Sequence, residues 1–316
     1  MSFDMIAIGE TLIDFHGSAD NQTIKLIGSP GGAPANVLAM ASKLGLKTAL
    51  ISRVGHDLLG AFIIKQLSAV DIETKYIQTD PVAPTTLAMV HLDSENNRSF
   101  SFYRSETADV RLDKSALPMA ALNNTKILHF GSLSLVDGEA YEATLAAIDI
   151  ARTGGALISY DPNWRPSLWH EQAQGIERMK LGMSQADIAK CSAEELVLLT
   201  GCTDQRRGID QLLELYDLDF VAVTRGKDSC LFSNRRWTLE IPIFELEVAD
   251  TTGAGDAFWG AALAYYLRRG RRVQDWTKQE IVEWMEFANA AGSLTTTKRG
   301  TINALPSRAE IAALLQ

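Results

Sequence analysis

Residues 250–258 read Asp250-Thr251-Thr252-Gly253-Ala254-Gly255-Asp256-Ala257-Phe258, and an apolar run over 257–267 comes directly after, closed by Arg268, Arg269 and Gly270. Cations in a last turn and a glycine free to adopt the left-handed stop conformation predict a buried helix that starts at about Gly255-Asp256. That helix leaves straight out of a glycine-containing turn. Its N-terminus offers unpaired N–H groups and the positive end of the helix dipole, and small residues at Gly253, Ala254 and Gly255 let a bulky anion approach closely. Asp256 has two readings. An isolated Asp before an apolar run is an N-cap. A cap, however, uses one side-chain oxygen and has no need of two threonines, two glycines and a second acid at Asp250. A phosphoryl-transfer site uses them all: N–H groups offset developing charge, and a carboxylate takes the proton of an attacking hydroxyl.

The chain has 316 residues, 46% hydrophobic and 22% charged, which is enough apolar material for a large globular core. A net charge of -9 argues against nucleic acid or an anionic membrane as partner, while a local phosphate cradle stays compatible with it. No apolar run is long enough to span a bilayer, and no cationic leader with an apolar core opens the sequence, so a cytoplasmic location is expected. Cys191, Cys202 and Cys230 are odd in number and form no CxxC pair; reduced thiols are expected rather than disulfides or zinc. His16, His56, His91, His129 and His170 show no metal-ligand spacing. The sequence also has no GxxxxGK[ST], which disfavours P-loop chemistry, and no G-x-G-x-x-G after its first strand, which disfavours a dinucleotide-binding oxidoreductase.

Residues 4–9 form a short apolar run ended by glycine, as expected of a buried parallel strand. Asp14 sits among Leu12, Ile13 and Phe15, where an acid either faces water at a sheet edge or meets a ligand's hydroxyls. Residues 23–28 read as a strand broken by Ser29-Pro30-Gly31-Gly32, and 33–44 as a helix stopped by Gly45. Strands over 47–54 and 73–79 flank a helix over 57–70. Residues 85–92 and 98–104 alternate apolar and polar around Asp93-Ser94-Glu95-Asn96-Asn97, the pattern of an antiparallel hairpin with one wet face. From residue 126 onward strands (126–130, 156–160, 187–190, 220–224) alternate with helices (139–152, 172–183, 193–200, 207–215). This order predicts an α/β fold: a mainly parallel central sheet with helices on both faces, plus a small β-sheet lid. The expected division assigns 1–11, 32–84 and 106–316 to the large domain and 12–31 and 85–105 to the lid. Ligands in such sheets lie beyond the carboxyl ends of strands, where Asp161, Asn163 and Arg165 fall after one strand and Thr224, Arg225 and Gly226 after another. Ser192-Ala193-Glu194-Glu195 has the form of a capping box opening a helix.

The run at 250–258 resembles the C-terminal motif of the ribokinase-like (PfkB) carbohydrate kinases, and Gly31-Gly32-Ala33-Pro34-Ala35-Asn36-Val37 resembles their N-terminal motif. The likeness extends from the first strand to the terminal helix. Asp161-Pro162-Asn163-Trp164-Arg165-Pro166-Ser167-Leu168-Trp169 is similar to the fructokinase and ketodeoxygluconate-kinase branches. The resemblance implies that Asp256 is the general base, with Gly253, Ala254 and Gly255 forming the anion cradle. It implies equally that Asp14, Gly31, Gly32, Asn36, Arg104, Asn163 and Arg165 face the sugar, and that the lid keeps water from the phosphoryl group. By the same likeness, Asn163, Arg165, Thr224, Gly226, Gly253, Gly255 and Asn289 border ATP, the adenine lying against the small residues of 287–292. The family's Asn-x-x-Glu is tied to magnesium through water; Ser192 replaces the Asn, and Glu195 is kept for Mg2+. Asp250, Thr252, Thr295, Lys298 and Gly300 match the family's monovalent-cation loop, where backbone carbonyls would hold K+.

The activity so implied is transfer of the γ-phosphoryl group of ATP to a primary hydroxyl of a small sugar. Fructose is first in order, then 2-keto-3-deoxygluconate, then ribose or a riboside. A sensor of sugar or nucleotide on the same fold would be expected to lose Asp256 or the glycines, and both are present. A homodimer paired through the lid is expected, because an exposed sheet edge needs cover.

Overall fold

The computed structural model describes residues 2–19, 22–92, 98–136 and 138–316. The chain starts with β1 (Met5–Ile8), four apolar buried residues, then leaves the body to form β2 (Leu12–Ala19) and β3 (Ile24–Gly31). It returns through α1 (Ala33–Lys43), β4 (Thr48–Gly55), α2 (Leu58–Ser68) and two short strands, β5 (Ile72–Glu73) and β6 (Ile77–Asp80). A second excursion makes β7 (Leu87–Leu92) and β8 (Arg98–Tyr103), whose expected turn at residues 93–97 lies outside the described residues. After α3 (Met119–Leu122) come β9 (Ile127–Gly131), α4 (Gly138–Thr153), β10 (Leu157–Asp161), α5 (Gln172–Ser184) and β11 (Ile188–Ser192). Next are α6 (Ala193–Thr200), α7 (Gln205–Tyr216) and β12 (Phe220–Thr224), then β13 (Ser229–Ser233) and β14 (Thr238–Pro242). The chain closes with α8 (Ala254–Arg269), α9 (Lys278–Thr295) and α10 (Arg308–Leu314).

The large sheet has the order β14-β13-β12-β11-β10-β9-β1-β4-β5, with β6 also paired to β4. Pairings from β12 through β1 to β4, β5 and β6 are parallel; β12-β13 and β13-β14 are antiparallel. Each face is covered. One buried core joins apolar residues of α1, α2, α8, α9 and α10, and a second joins those of α4, α5, α6 and α7. Burial on both sides explains the near-continuous apolar strands. Because the chain leaves β1 toward β4 on one side and later fills β9 to β12 on the other, a crevice opens at the strands' carboxyl ends, where ligands of such sheets bind.

A separate four-stranded sheet has the order β3-β2-β7-β8. Two details differ from the sequence pattern. Strand β3 continues through Pro30 to Gly31, which pairs with Leu12, instead of breaking at Ser29. Pro30 is tolerated because β3 is an edge strand and a missing N–H there breaks no ladder. The stretch 73–79 is not one strand: β5 pairs with the start of β4 and β6 with its end, and the Ile77 N–H turns back to the Thr74 carbonyl between them.

Candidate active site

Helix α8 is capped by Gly253 at φ +76°, with no side-chain hydrogen bond, and Asp256 is the third residue of the helix. Asp256 is therefore not the cap. Gly253 is in the left-handed region, where a Cβ would be strained and would also meet Thr301 Cγ2 at 3.1 Å. No side chain caps the first N–H groups of α8; the Ala254 N–H turns back to the Thr251 carbonyl at 3.3 Å.

Asp256 is brought to Asn36 from across the chain: Asn36 Nδ2 donates to Asp256 Oδ2 at 2.8 Å. Asn36 is placed by Gly32, which caps α1 at φ +107° and whose Cβ would strike the Glu10 carbonyl at 2.5 Å. The preceding Gly31 leaves room for Asp14, since a Cβ there would lie 2.1 Å from Asp14 Oδ2. Asp14 is buried on β2, an inner strand of the small sheet, which removes the edge-facing alternative. Burial pushes its carboxyl up to about 7, against the pull of Arg165 and with the push of Asp256 and Asp250. The Asp256 carboxyl is likewise raised by burial, with Lys190, Asn36 and Arg165 drawing it back. Asp14, Asn36, Arg165 and Asp256 thus form one electrostatic group.

Asn163 adopts the left-handed region at φ +49°, turning the chain so that the Trp164 N–H donates to Glu195 Oε1 at 2.6 Å. Arg165 Nη1 donates to the Trp164 carbonyl at 3.0 Å. Arg104 is buried and engaged inward: Nε donates to Asp109 Oδ2 at 2.6 Å and Nη2 to the Leu133 carbonyl at 3.0 Å. Glu195 completes the capping box that its sequence spacing suggests, its Oε2 accepting the Ser192 N–H at 2.7 Å.

On the other side of the α8 N-terminus lies a cleft of about 500 Å3, walled by Ile243, Phe244, Leu246, Val248 and Phe258 and floored by Gly255 and Gly292. Thr224, Gly226 and Asn289 line it, as expected of residues bordering a nucleotide. Asn289 Nδ2 also donates to the Ile241 and Pro242 carbonyls, at 3.2 and 3.0 Å, and so fixes β14 to α9. Behind the cleft, Asp250 Oδ1 accepts the Thr252 N–H at 2.7 Å and Oδ2 the Gly300 N–H at 3.1 Å, tying its own loop to the one after α9. Thr295 Oγ1 donates to the Ala291 carbonyl, and Lys298 pairs with Glu310 at 3.0 Å. Among the described residues no three His, Cys, Asp or Glu side chains converge as a metal site.

Two buried charges at the crevice escaped the sequence pattern. Lys190, in the middle of β11, pairs with Asp161 Oδ2 at 2.8 Å. Glu10 comes after β1 and accepts the Ala33 N–H at 3.2 Å, while burial pushes its carboxyl up to about 7 despite the Arg104 charge. The only signal for either was a lone charge in an apolar stretch.

The profile of the pfkB family carbohydrate kinases matches residues 3–308. The chain belongs to this family. A fructokinase-1 of Zea mays is 35% identical over 99% of this chain and 97% of its own length. A fructokinase with bound ATP from Xylella fastidiosa superposes with a TM-score of 0.91 at 30% identity, covering 99% of this chain and 98% of that one. A fructokinase double mutant from Vibrio cholerae O395, in a form bound to fructose, ADP and potassium ion, gives a TM-score of 0.88 at 30% identity, covering 99% of both chains. As a pfkB carbohydrate kinase, the chain is a phosphotransferase acting on a sugar hydroxyl. No helix among the described residues is long and apolar enough to cross a membrane.

Proposed function

We propose that this pfkB kinase transfers the γ-phosphoryl group of ATP to a primary hydroxyl of fructose. One observation carries the reading: Asp256 stands at the third position of a helix capped only by glycine, held by Asn36, with the charges of Asp14 and Arg165 acting on one another beside it and the 500 Å3 cleft at the same helix start. A raised carboxyl suits a base working near neutral pH. Asp256 removes the hydroxyl proton, the freed oxygen bonds to the γ-phosphorus, and the bond to the β–γ bridging oxygen breaks to release ADP. The N–H groups of residues 253–255 and the Arg165 guanidinium offset the moving charge. Asp14, Gly31, Gly32, Asn36, Arg104 and Asn163 shape the sugar side. Thr224, Gly226 and Asn289 border the nucleotide. The sheet of 12–31 and 85–105 acts as the lid over the remaining chain, excluding water as a competing acceptor.

Each Glu195 oxygen accepts one main-chain N–H and keeps a lone pair, which fits a carboxylate that holds Mg2+ through water. When bound, Mg2+ neutralises charge on the transferred phosphates. The loops joined by Asp250 fit a K+ site built from backbone carbonyls, with Thr252, Thr295, Lys298 and Gly300 around it. Edge strand β3 exposes Ile24 and Ile27 by 72% and 73%, which favours a homodimer closed through the lid. I24E/I27E run as a monomer in light scattering tests that pairing; a monomeric wild type removes it.

ATP consumption measured with fructose, 2-keto-3-deoxygluconate, ribose and inosine-type ribosides, with and without potassium, tests the substrate. A preference for fructose of about tenfold or more in kcat/KM supports the reading. Equal or better use of another sugar overturns it.

A further inference from the structure

Phosphoryl transfer as described leaves one buried cation without a task. Lys190 is the only charge in Ile188-Ala189-Lys190-Cys191-Ser192, and its side chain is 9% exposed. An ammonium in the middle of a parallel sheet is costly unless its neighbours keep it charged. Asp161 on β10 is one such neighbour, but this is not a closed structural pair. The second oxygen, Asp161 Oδ1, is buried with no hydrogen-bond partner. The ammonium also lies against the first turn of α8: a Cβ built on Gly255 would come within 3.0 Å of Lys190 Nζ and 3.6 Å of Cε. A side chain at residue 255 would press on the lysine ammonium.

We propose that Lys190 is a positioning residue for phosphoryl transfer: tethered by Asp161 and seated under Gly255, its ammonium holds the adjoining Asp256 carboxyl in the charged, proton-accepting form. This rests on Asp256 being the base. The charged and polar groups that face Asp256 are Asn36 from α1, Asp14 from β2, Asp161 from β10, Arg165 from the loop after β10, and Lys190 from β11. Burial works to neutralise Asp256; among the opposing influences Lys190 ranks first, ahead of the Asn36 hydrogen bond and Arg165. Arg165 sits on a half-buried loop, whereas Lys190 is held in a central strand of the sheet. For its part, burial pulls the Lys190 ammonium down, and Asp161, Glu195 and Asp256 together hold it above its ordinary value. The lysine stays protonated throughout the working range.

The test is the pH profile of kcat in K190M and in K190M/D161N. The double variant removes the buried acid that the single one strands, so it keeps the fold if the single variant does not. With Lys190 in the assigned role, the acid limb moves up by about one unit, turnover on the acid side of that limb falls by up to roughly tenfold, and it recovers at pH 9. The KM for ATP stays near wild type. An acid limb that does not move in the folded double variant overturns the proposal, as does a pH-independent loss or a loss confined to the KM for ATP. D256N separates the two levels. If it turns over normally, the base assignment fails and Lys190 falls with it; if it is crippled while the double variant's profile stays put, only Lys190 fails.

Discussion

Helices α6 and α8 both bring an acid at their third position to the same crevice, and the two acids meet opposite fates. In α6 the N-cap is Ser192: its Oγ accepts the Glu195 N–H at 3.1 Å, and Glu195 in turn accepts the Ser192 N–H at 2.7 Å. The Trp164 N–H takes the other Glu195 oxygen. In α8 the N-cap is Gly253, which has no hydroxyl to reciprocate, so Asp256 turns to Asn36 and no side chain takes the first N–H groups. The lesson is that an acid near a helix start is tied to main-chain N–H groups when the cap can answer it, and is left to distant side chains when the cap is glycine.

The largest effect that can break this contrast is D256N. Turnover should fall about 10²–10⁴-fold. The fold should persist, because an amide keeps an acceptor for Asn36 and removes a buried charge; a coupled ADP-release assay and a thermal melt check both. Near-normal turnover would reduce Asp256 to a structural partner of Asn36.

Next is G253A. Holding alanine in the left-handed region costs about 1–2 kcal/mol, and its methyl presses on Thr301. The expected outcome is a lower Tm together with weaker ATP binding, measured by melting and by calorimetry. A fall in Tm with ATP affinity intact would mean that the turn is a stop signal and not a cradle.

A pH series on the sugar side comes third. The folded-state carboxyl of Asp14 is raised to about 7 by burial, so the native state holds a proton that the unfolded chain gives up from about pH 4 upward. Its contribution therefore declines as pH rises from about 4 to 7 and remains a full penalty above 7. His129, buried beside Ser159 and lowered to about 3 chiefly by burial, acts in the opposite direction below its ordinary value. The difference between wild type and D14N isolates Asp14: D14N should gain Tm at pH 8 relative to pH 5.5. An identical slope in both proteins would show that Asp14 is not held in this state.

The smallest effect is S192A, which removes one arm of the α6 capping box and should cost about 1 kcal/mol. Urea unfolding measures it. Turnover should fall far less than in D256N; a comparable loss would mean that the α6 terminus is as much part of the chemistry as that of α8.

Local sequence went furthest where a short-range physical rule applies. The helix of 254–269 was readable because Gly270 and two arginines stop it; its start, expected at about Gly255-Asp256, lies at Ala254 after a Gly253 cap. The lid strands showed as period-two alternation, and the parallel body as buried apolar strands spaced by helices. Pro30 misled because its meaning depends on whether β3 is an edge, and no local pattern says so. Residues 73–79 misled because one half pairs with the start of β4 and the other with its end.

By itself, then, the sequence determined the element order, the glycine-capped helix and the presence of an acid beside it. Tertiary structure alone decided what that acid touches: Asn36 lies 220 residues away, Lys190 arrives on a neighbouring strand, and Asp14 descends from the small sheet. The physical reason is that backbone geometry and capping act within a few residues, whereas the charge state of a buried carboxyl is set by whatever the packed fold brings within a few ångströms of it.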